Sequence, residues 1–370
     1  MDNQFTLFDI LPDDDPTKNT FISQESTDWK WSLGGGYPPQ NGLKVFSCFA
    51  CGGGSTMGYK LAGCEVIGCC EIDPKMNEVY VKNHHPKYNY CMDIRDFNKL
   101  DNLPEELYHL DILDGSPPCS TFSMAGQREE SWGVEKRFRE GQKLQTLDDL
   151  LFVFIDTVAK LKPKVAVMEN VEGLLLGNAF KYVQEIYVQF QKIGYTVRHE
   201  LLKGENMGIP QKRHRVIFIA TRLDFDLRKI DLSFNYKKIT YAACKEGLGT
   251  PLGKNTLFYK IVTKAIQKDK SIADTRKRLG EKVSGFNNLY IRYDDILPTL
   301  RSKADIIDIE NMCYISKQTV RNSQTFPQDY DFCGDSYSTI GYICGMSVPP
   351  VMMKRVAERL IKSKIFEGDL

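Results

Sequence analysis

Hydrophobic positions along this chain fall into short apolar runs separated by longer amphipathic ones. Lys44-Val45-Phe46-Ser47-Cys48-Phe49-Ala50 reads as a buried strand, and Cys51-Gly52-Gly53-Gly54-Ser55-Thr56 follows as a glycine-rich turn into a helix from Met57 to Ala62. The next strand-like run, Cys64 to Cys70, ends in Glu71-Ile72-Asp73, and Tyr90-Cys91-Met92-Asp93-Ile94 is another short run tipped by an acid. His109-Leu110-Asp111-Ile112-Leu113 predicts a further buried strand. Asp114-Gly115-Ser116-Pro117-Pro118-Cys119-Ser120-Thr121-Phe122-Ser123 stops it, because glycine and two prolines cannot continue a ladder. Leu147, Leu150, Leu151, Phe154, Val158 and Leu161 recur at helical spacing up to Pro163. Val165-Ala166-Val167-Met168 is then a strand that delivers Glu169-Asn170. A helix through Phe180, Val183, Tyr187 and Phe190, a strand from Thr196 to Leu202, the turn Gly208 to Arg215 and a strand Val216 to Ala220 complete the series. This alternation predicts an α/β fold with a doubly wound, mostly parallel sheet.

After about residue 222 the alternation fades. The pattern divides the chain into a flexible tail over 1–42, a main domain over 43–240, a smaller irregular domain over 241–335, and a segment over 336–370 whose amphipathic run Met352 to Ile361 packs back on the main domain. Charge follows the same division. Residues 1–30 hold seven acids against Lys18 and Lys30, whereas residues 250–303 hold twelve Lys or Arg against five acids. The overall charge of +1 therefore hides a basic segment suited to a polyanion, although a solvated helix face would also account for it. In the tail, Gln4-Phe5-Thr6-Leu7-Phe8 is similar to the short peptides by which bacterial replication proteins dock on the sliding clamp; a frayed terminus is the plainer alternative.

Composition excludes several classes. Hydrophobic content of 42% and charged content of 26% are ordinary for a soluble globular protein, and no apolar run approaches the roughly 20 residues of a membrane span. An acidic, polar start without a signal-peptide pattern implies a cytoplasmic protein. Eleven cysteines in no regular framework fit a reducing compartment. Cys48-Phe49-Ala50-Cys51 has CxxC spacing, but no second pair follows, so no metal is expected.

Cys119 is the first candidate for chemistry. It stands at the carboxyl end of a strand, the rim where open α/β sheets bind ligands, and a rigid turn holds it there. A small apolar cysteine in a loop is the alternative. The glycine turn, with Glu71 roughly 20 residues further on, suits a nucleotide-like ligand with ribose hydroxyls. Residues 121–145 are polar and basic, and a loop this long beside a nucleophile suggests a lid.

Together these pieces resemble the DNA cytosine-5 methyltransferase family from Lys44 to about Leu360. The order is glycine turn, acid after the second strand, Pro-Pro-Cys, Glu-Asn-Val, Gln-x-Arg-x-Arg, a variable basic region, and a final Gly-x-Ser-Val-Pro-Pro helix. The resemblance implies a class I, Rossmann-like S-adenosylmethionine-dependent fold with a target-recognition domain, and a monomer acting on double-stranded DNA near the nucleoid of a prokaryote or phage-infected cell, as in restriction-modification. It implies Cys119 as the nucleophile that adds to cytosine carbon 6, Glu169 as the carboxyl group at N3, and Arg213 and Arg215 near the base and its phosphate. For S-adenosylmethionine, and its product S-adenosylhomocysteine, it implies Phe49 with Gly52, Gly53 and Gly54 at the methionine part, Glu71 at the ribose, Ile72, Asp93 and Ile94 at adenine, Pro118 and Leu150 lining the pocket, and Ser347 closing it.

Departures from the pattern are local. The first motif usually reads Asp-Leu-Phe-x-Gly-x-Gly-Gly, and here Ser47 and Cys48 replace the opening pair and Cys51 the first glycine. Gly345-Met346 replaces Gly-Asn, Ser316-Lys317-Gln318-Thr319 stands for Thr-x-Arg-Glu, and Ser120-Thr121 follows the cysteine in place of Gln. Alternative readings are a tRNA methyltransferase of the same fold, a catalytically silent DNA-binding relative, and a Rossmann dehydrogenase. The covalent route predicts that duplex DNA containing 5-fluorocytosine becomes irreversibly bonded to the protein, because fluorine cannot leave as a proton does. A preparation that methylates DNA yet forms no such adduct would contradict it.

Overall fold

The computed structural model describes residues 26–118, 149–285, 288–303 and 305–367. In chain order the strands and helices are β1 (Lys44–Cys48), α1 (Gly54–Leu61), β2 (Glu65–Cys70), α2 (Pro74–His84), β3 (Tyr88–Tyr90), α3 (Ile94–Phe97), β4 (Ile112–Gly115), α4 (Leu150–Leu161), β5 (Val165–Val171), α5 (Phe180–Lys192), β6 (Thr196–Lys203), β7 (Gln211–Lys212) and β8 (His214–Thr221). They continue with α6 (Tyr241–Cys244), α7 (Leu257–Val262), α8 (Ile272–Arg278), β9 (Leu289–Ile291), β10 (Leu297–Pro298), β11 (Ile306–Asp308), β12 (Cys313–Tyr314), α9 (Lys317–Ser323), α10 (Tyr337–Met346) and α11 (Pro350–Lys362).

Seven strands form one sheet in the order β3-β2-β1-β4-β5-β8-β6. Only β8 runs against its neighbours β5 and β6, so the expected mostly parallel sheet is present. Successive residues of each strand feed opposite faces. Val45, Ile112, Val165 and Ile217 join the core beneath α1 and α11, whereas Phe46, Leu113, Ala166 and Phe218 join the core with α4 and α5. Burial on both faces is why these strands read as continuous apolar runs. Strand order reverses between β1 and β4, and it is at such a switch point that the carboxyl ends of parallel strands open a crevice.

Several elements begin or end away from their sequence-predicted bounds. The first helix starts at Gly54, three residues before Met57, because the turn's own N–H groups already lie in its first turn. The strand expected over His109–Leu113 is shifted to Ile112–Gly115, since Leu110 and Asp111 precede the ladder. Asp93 ends no strand: its carboxylate accepts from Arg95 N at 2.8 Å and caps α3.

A second, smaller core holds Leu252, Ile261, Val262, Ile272, Tyr290 and Ile307, around a three-stranded sheet of order β12-β11-β9. Tyr241, Cys244, Ile315, Val320, Phe326 and Tyr330 belong instead to the main core, so the separate unit is narrower than 241–335. Among the described residues no helix is long and apolar enough to cross a membrane.

Helix α11 lies along α1, as its amphipathic pattern predicts. At their contact a Cβ on Gly58 would stand 2.6 Å from Pro350 O and 2.5 Å from Met353 Cβ. Replacing a helical glycine by alanine ordinarily stabilises by about 1 kcal/mol. Here Gly58→Ala should instead lower stability by about 1–3 kcal/mol through overpacking. Urea unfolding measures the sign, and a stabilised variant would contradict this packing.

Candidate active site

The carboxyl ends of β1, β2, β4 and β5 and the α10–α11 junction enclose a cavity of about 440 Å³. That lies in the range of small-molecule sites, about 300–1,000 Å³. Its lining includes Phe49, Gly54, Glu71, Ile72, Asp93, Ile94, Pro118, Glu169, Arg213, Arg215 and Ser347 from the expected set. Cys119 and the 121–145 loop lie outside the described residues, as does Gln4–Phe8. Pro117 and Pro118, the residues just before Cys119, stand on the cavity wall.

At one end, Glu71 accepts from Cys51 N at 2.7 Å and from Asp73 N at 2.9 Å. Burial pushes its carboxyl upward, and the two N–H groups pull back. Each oxygen keeps a lone pair for a hydroxyl donor. Ile72, Met92, Ile94 and Pro118 supply apolar surface beside it. An acid capable of holding a diol, an apolar slot next to it, and a volume of this size fit the nucleoside part of S-adenosylmethionine.

At the other end, Arg215 Nε lies 2.6 Å from Glu169 Oε1, and both side chains are nearly buried. Arg215 also donates to His214 O at 2.7 Å, which fixes its plane. Asn170 Nδ2 donates to Pro117 O at 3.3 Å and so ties the tip of β5 to the turn carrying the cysteine. Asn170 was legible in the Glu-Asn-Val motif, yet this tether could not be read from spacing.

Several of the expected residues have other surroundings in the structure. Among the described residues Leu150 is not on the cavity wall; it is 2% exposed on α4 and packs in the core with Phe46 and Phe97. Gly52 and Gly53 are also off the wall: a Cβ at Gly52 would meet Ile343 Cγ2 at 2.5 Å, and one at Gly53 would meet His84 Nε2 at 2.1 Å. The glycine turn is thus shaped as much by protein packing as by a ligand, with Gly54 alone of the three facing the cavity. Arg213 is a brace. Its guanidinium, 2% exposed, donates to Leu300 O at 3.3 Å, Gly345 O at 3.2 Å and Ser347 O at 2.8 Å. Beside it Gln211 donates to Ser323 O and Gln324 Oε1 and accepts from Leu300 N, all within 3.1 Å.

The departures also find physical places. Cys51 and Phe49 adopt φ of 45° and 55°, the left-handed region, so a glycine at 51 would be less strained. Burial pushes the Cys51 thiol up to about 12, and Ser347 Oγ donates to its sulfur at 3.6 Å. Three residues after Ser316, Thr319-Val320-Arg321-Asn322 fits Thr-x-Arg-Glu more closely than Ser316–Thr319 does. Thr319 Oγ1 accepts from Glu246 N at 2.9 Å, and Asn322 Nδ2 donates to Glu246 Oε2 at 2.8 Å. Tyr342 and Ser302 line the cavity without any sequence signal, because only tertiary closure brings them there.

The family model for C-5 cytosine-specific DNA methylase matches residues 43–362. Type II methyltransferase M1.HphI of Haemophilus parahaemolyticus is 27% identical over 335 residues, which cover 86% of this chain and 87% of that protein. Type II methyltransferase M.AplI of Arthrospira platensis is 27% identical over 337 residues, covering 86% of each. In shape the chain is similar to the S. pombe Dnmt2 methyltransferase, with a TM-score of 0.55 at 15% identity over 88% of this chain and 98% of that one, a likeness of fold.

Arg213→Ala would take a buried donor from Leu300 O, Gly345 O and Ser347 O, of which the last keeps Gln324 Nε2, and should lower the unfolding free energy by about 2–5 kcal/mol. Denaturant titration checks this, and a loss below about 1 kcal/mol would contradict the bracing role.

Proposed function

The chain belongs to the C-5 cytosine-specific DNA methylase family, and we propose on that footing that it methylates carbon 5 of a flipped-out cytosine in double-stranded DNA with S-adenosylmethionine as methyl donor. The observation that carries this reading is the Glu169–Arg215 pair, set on one cavity wall with the Pro117-Pro118 turn that leads into Cys119. Glu71 and its apolar neighbours at the other end support the donor, and the basic segment 250–303 supports a polyanionic target.

Carbon 5 of cytosine is a weak nucleophile. A thiolate adding to carbon 6 moves the ring's double-bond electrons toward carbon 5 and makes it enamine-like. Cys119 is the residue whose sulfur forms that bond, and a thiolate is favoured by nearby positive charge. Glu169 shares a proton at ring N3, so that charge developing there is neutralised as the sulfur adds. Arg215 holds the Glu169 carboxyl in place and brings positive charge to the base. S-adenosylmethionine, when bound, supplies an electrophilic methyl group. Loss of the carbon 5 proton and elimination of the Cys119 sulfur then restore the ring and free the enzyme.

The target base starts inside a duplex, and extruding it costs a few kcal/mol. Phosphate contacts from the basic segment and the 121–145 loop are the parts available to offset that. Relatives named as Type II methyltransferases support a place in restriction-modification. Work on DNA would place the protein at the nucleoid, and Gln4–Phe8 would offer a tether to the sliding clamp.

Cys119→Ser should reduce methyl transfer to duplex DNA to background while leaving binding of S-adenosylhomocysteine within about twofold, since the donor contacts lie elsewhere. Transfer of labelled methyl groups to DNA, with tRNA as a second acceptor, measures this. Full activity in Cys119→Ser would refute the nucleophile, and transfer to tRNA alone would refute the substrate.

A further inference from the structure

The chemistry above leaves one buried carboxylate at the site without a role. Asp114 lies in β4, just before the Gly115-Ser116-Pro117-Pro118 turn, and is 1% exposed. In the parallel ladder of β1 and β4 its register partner is Ser47. Ser47 Oγ donates to Asp114 Oδ2 at 2.9 Å, and the Tyr59 hydroxyl donates to Oδ1 at 3.2 Å. Among the described residues the charged group acting on it is another carboxylate, Glu169, and not a cation. An enclosed negative charge with only neutral donors is costly, and a positive group arriving with a ligand would relieve that cost.

Asp114 itself is not on the cavity wall, but Ser47 is, beside Gly54 and Ser55. Ser47 has one hydroxyl proton, and it is committed to Asp114. The hydroxyl therefore faces the cavity as an acceptor only. Position 47 is also where an aspartate usually opens this motif. Here the carboxylate belongs to the residue directly alongside in the sheet, Asp114.

We infer that the Ser47–Asp114 pair seats the cationic ammonium at the amino-acid end of the methyl donor, with Ser47 accepting its N–H and Asp114 holding the compensating charge behind it. Asp114 is thus a positioning residue acting through Ser47. The inference rests on the proposed donor and deepens it, by assigning the part of the cavity wall at Ser47 to the ligand's ammonium.

A pH signature follows. Burial pushes the Asp114 carboxyl up to about 7, against the pull of the Ser47, Tyr59 and Ser55 hydroxyls. The titratable groups facing it are Cys48 from β1, Tyr59 from α1, Tyr80 from α2 and Glu169 from β5. Burial drives Cys48, Tyr59 and Tyr80 well above their ordinary values, so they stay neutral near pH 7, and Glu169 is held by Arg215. Between pH 5.5 and 7 Asp114 goes from almost wholly protonated to about half charged while the ligand's amine remains protonated. Affinity for a ligand bearing the ammonium should rise with pH across that window.

The test measures dissociation constants of the full chain for S-adenosylhomocysteine and for its deaminated analogue, which keeps the carboxylate and lacks the ammonium. In the wild type, affinity for S-adenosylhomocysteine should rise about tenfold from pH 5.5 to 7, and affinity for the deaminated analogue should not. At pH 7, D114N should weaken S-adenosylhomocysteine about tenfold or more and the deaminated analogue less than twofold. Adding S47D to D114N should recover at least threefold of that loss. Equal pH profiles for the two ligands in the wild type, an equal loss in D114N, or no rescue by S47D would overturn the inference while leaving the donor assignment intact. A wild-type protein that binds neither ligand would overturn both.

Discussion

One buried guanidinium holds the cavity together. Arg213 reaches carbonyls that lie 87, 132 and 134 residues further along the chain, and its three hydrogen bonds join the sheet to β10 and to the α10–α11 junction. Everything that closes over the glycine turn depends on that junction. A Cβ on Gly54 would meet Val348 O at 2.0 Å, Gln324 Nε2 donates to Ser347 O at 2.6 Å, and Tyr330 donates to Gly52 O. Ser302, Tyr342 and residues 345–348 of the cavity wall thus come from the last part of the chain, although the sheet that carries the chemistry is complete by Thr221. A site assembled this way cannot form in the main sheet alone.

The sheet's contribution is to set charges at fixed intervals along one rim. Glu71 follows β2 at one end of the cavity, Glu169 stands in β5 at the other, and Asp114 lies in β4 off the cavity wall. Each is treated differently by its neighbours. Glu71 receives backbone N–H groups, Asp114 receives hydroxyls, and Glu169 receives a guanidinium. Those partners decide what each can do: hold hydroxyls, hold a charge in reserve, or exchange a proton with a ring under attack. The same fold could support other chemistry with other partners, so the reading of function rests on the site and on family membership together.

The fold was largely legible because strands buried on both faces and helices with one apolar face leave period signals, as in Val165–Met168 and Leu150–Leu161. Residues from separate local motifs meet in the structure: Glu71, Glu169 and Arg215 line one cavity. What stayed hidden needed knowledge of which chain segments meet. Leu150 belongs to the core because the first turn of α4 faces the sheet, and spacing alone does not distinguish a core leucine from a pocket leucine. Arg213 and Arg215 are two apart in one motif, yet only Arg215 meets Glu169; Arg213 is taken by carbonyls from the C-terminal third. The pairing of Ser47 with Asp114 becomes visible only from strand register, which no local pattern reveals.

The central claim is that strand tips from the N-terminal half and the α10–α11 junction form one ligand site. Amide hydrogen exchange of the full chain with and without saturating S-adenosylhomocysteine tests it most directly. The account predicts slowed exchange both at the 49–54 and 70–73 segments and at 345–348, with no comparable change in the small core around Ile261 and Tyr290. Protection confined to the sheet, or appearing mainly in the small core, would contradict it.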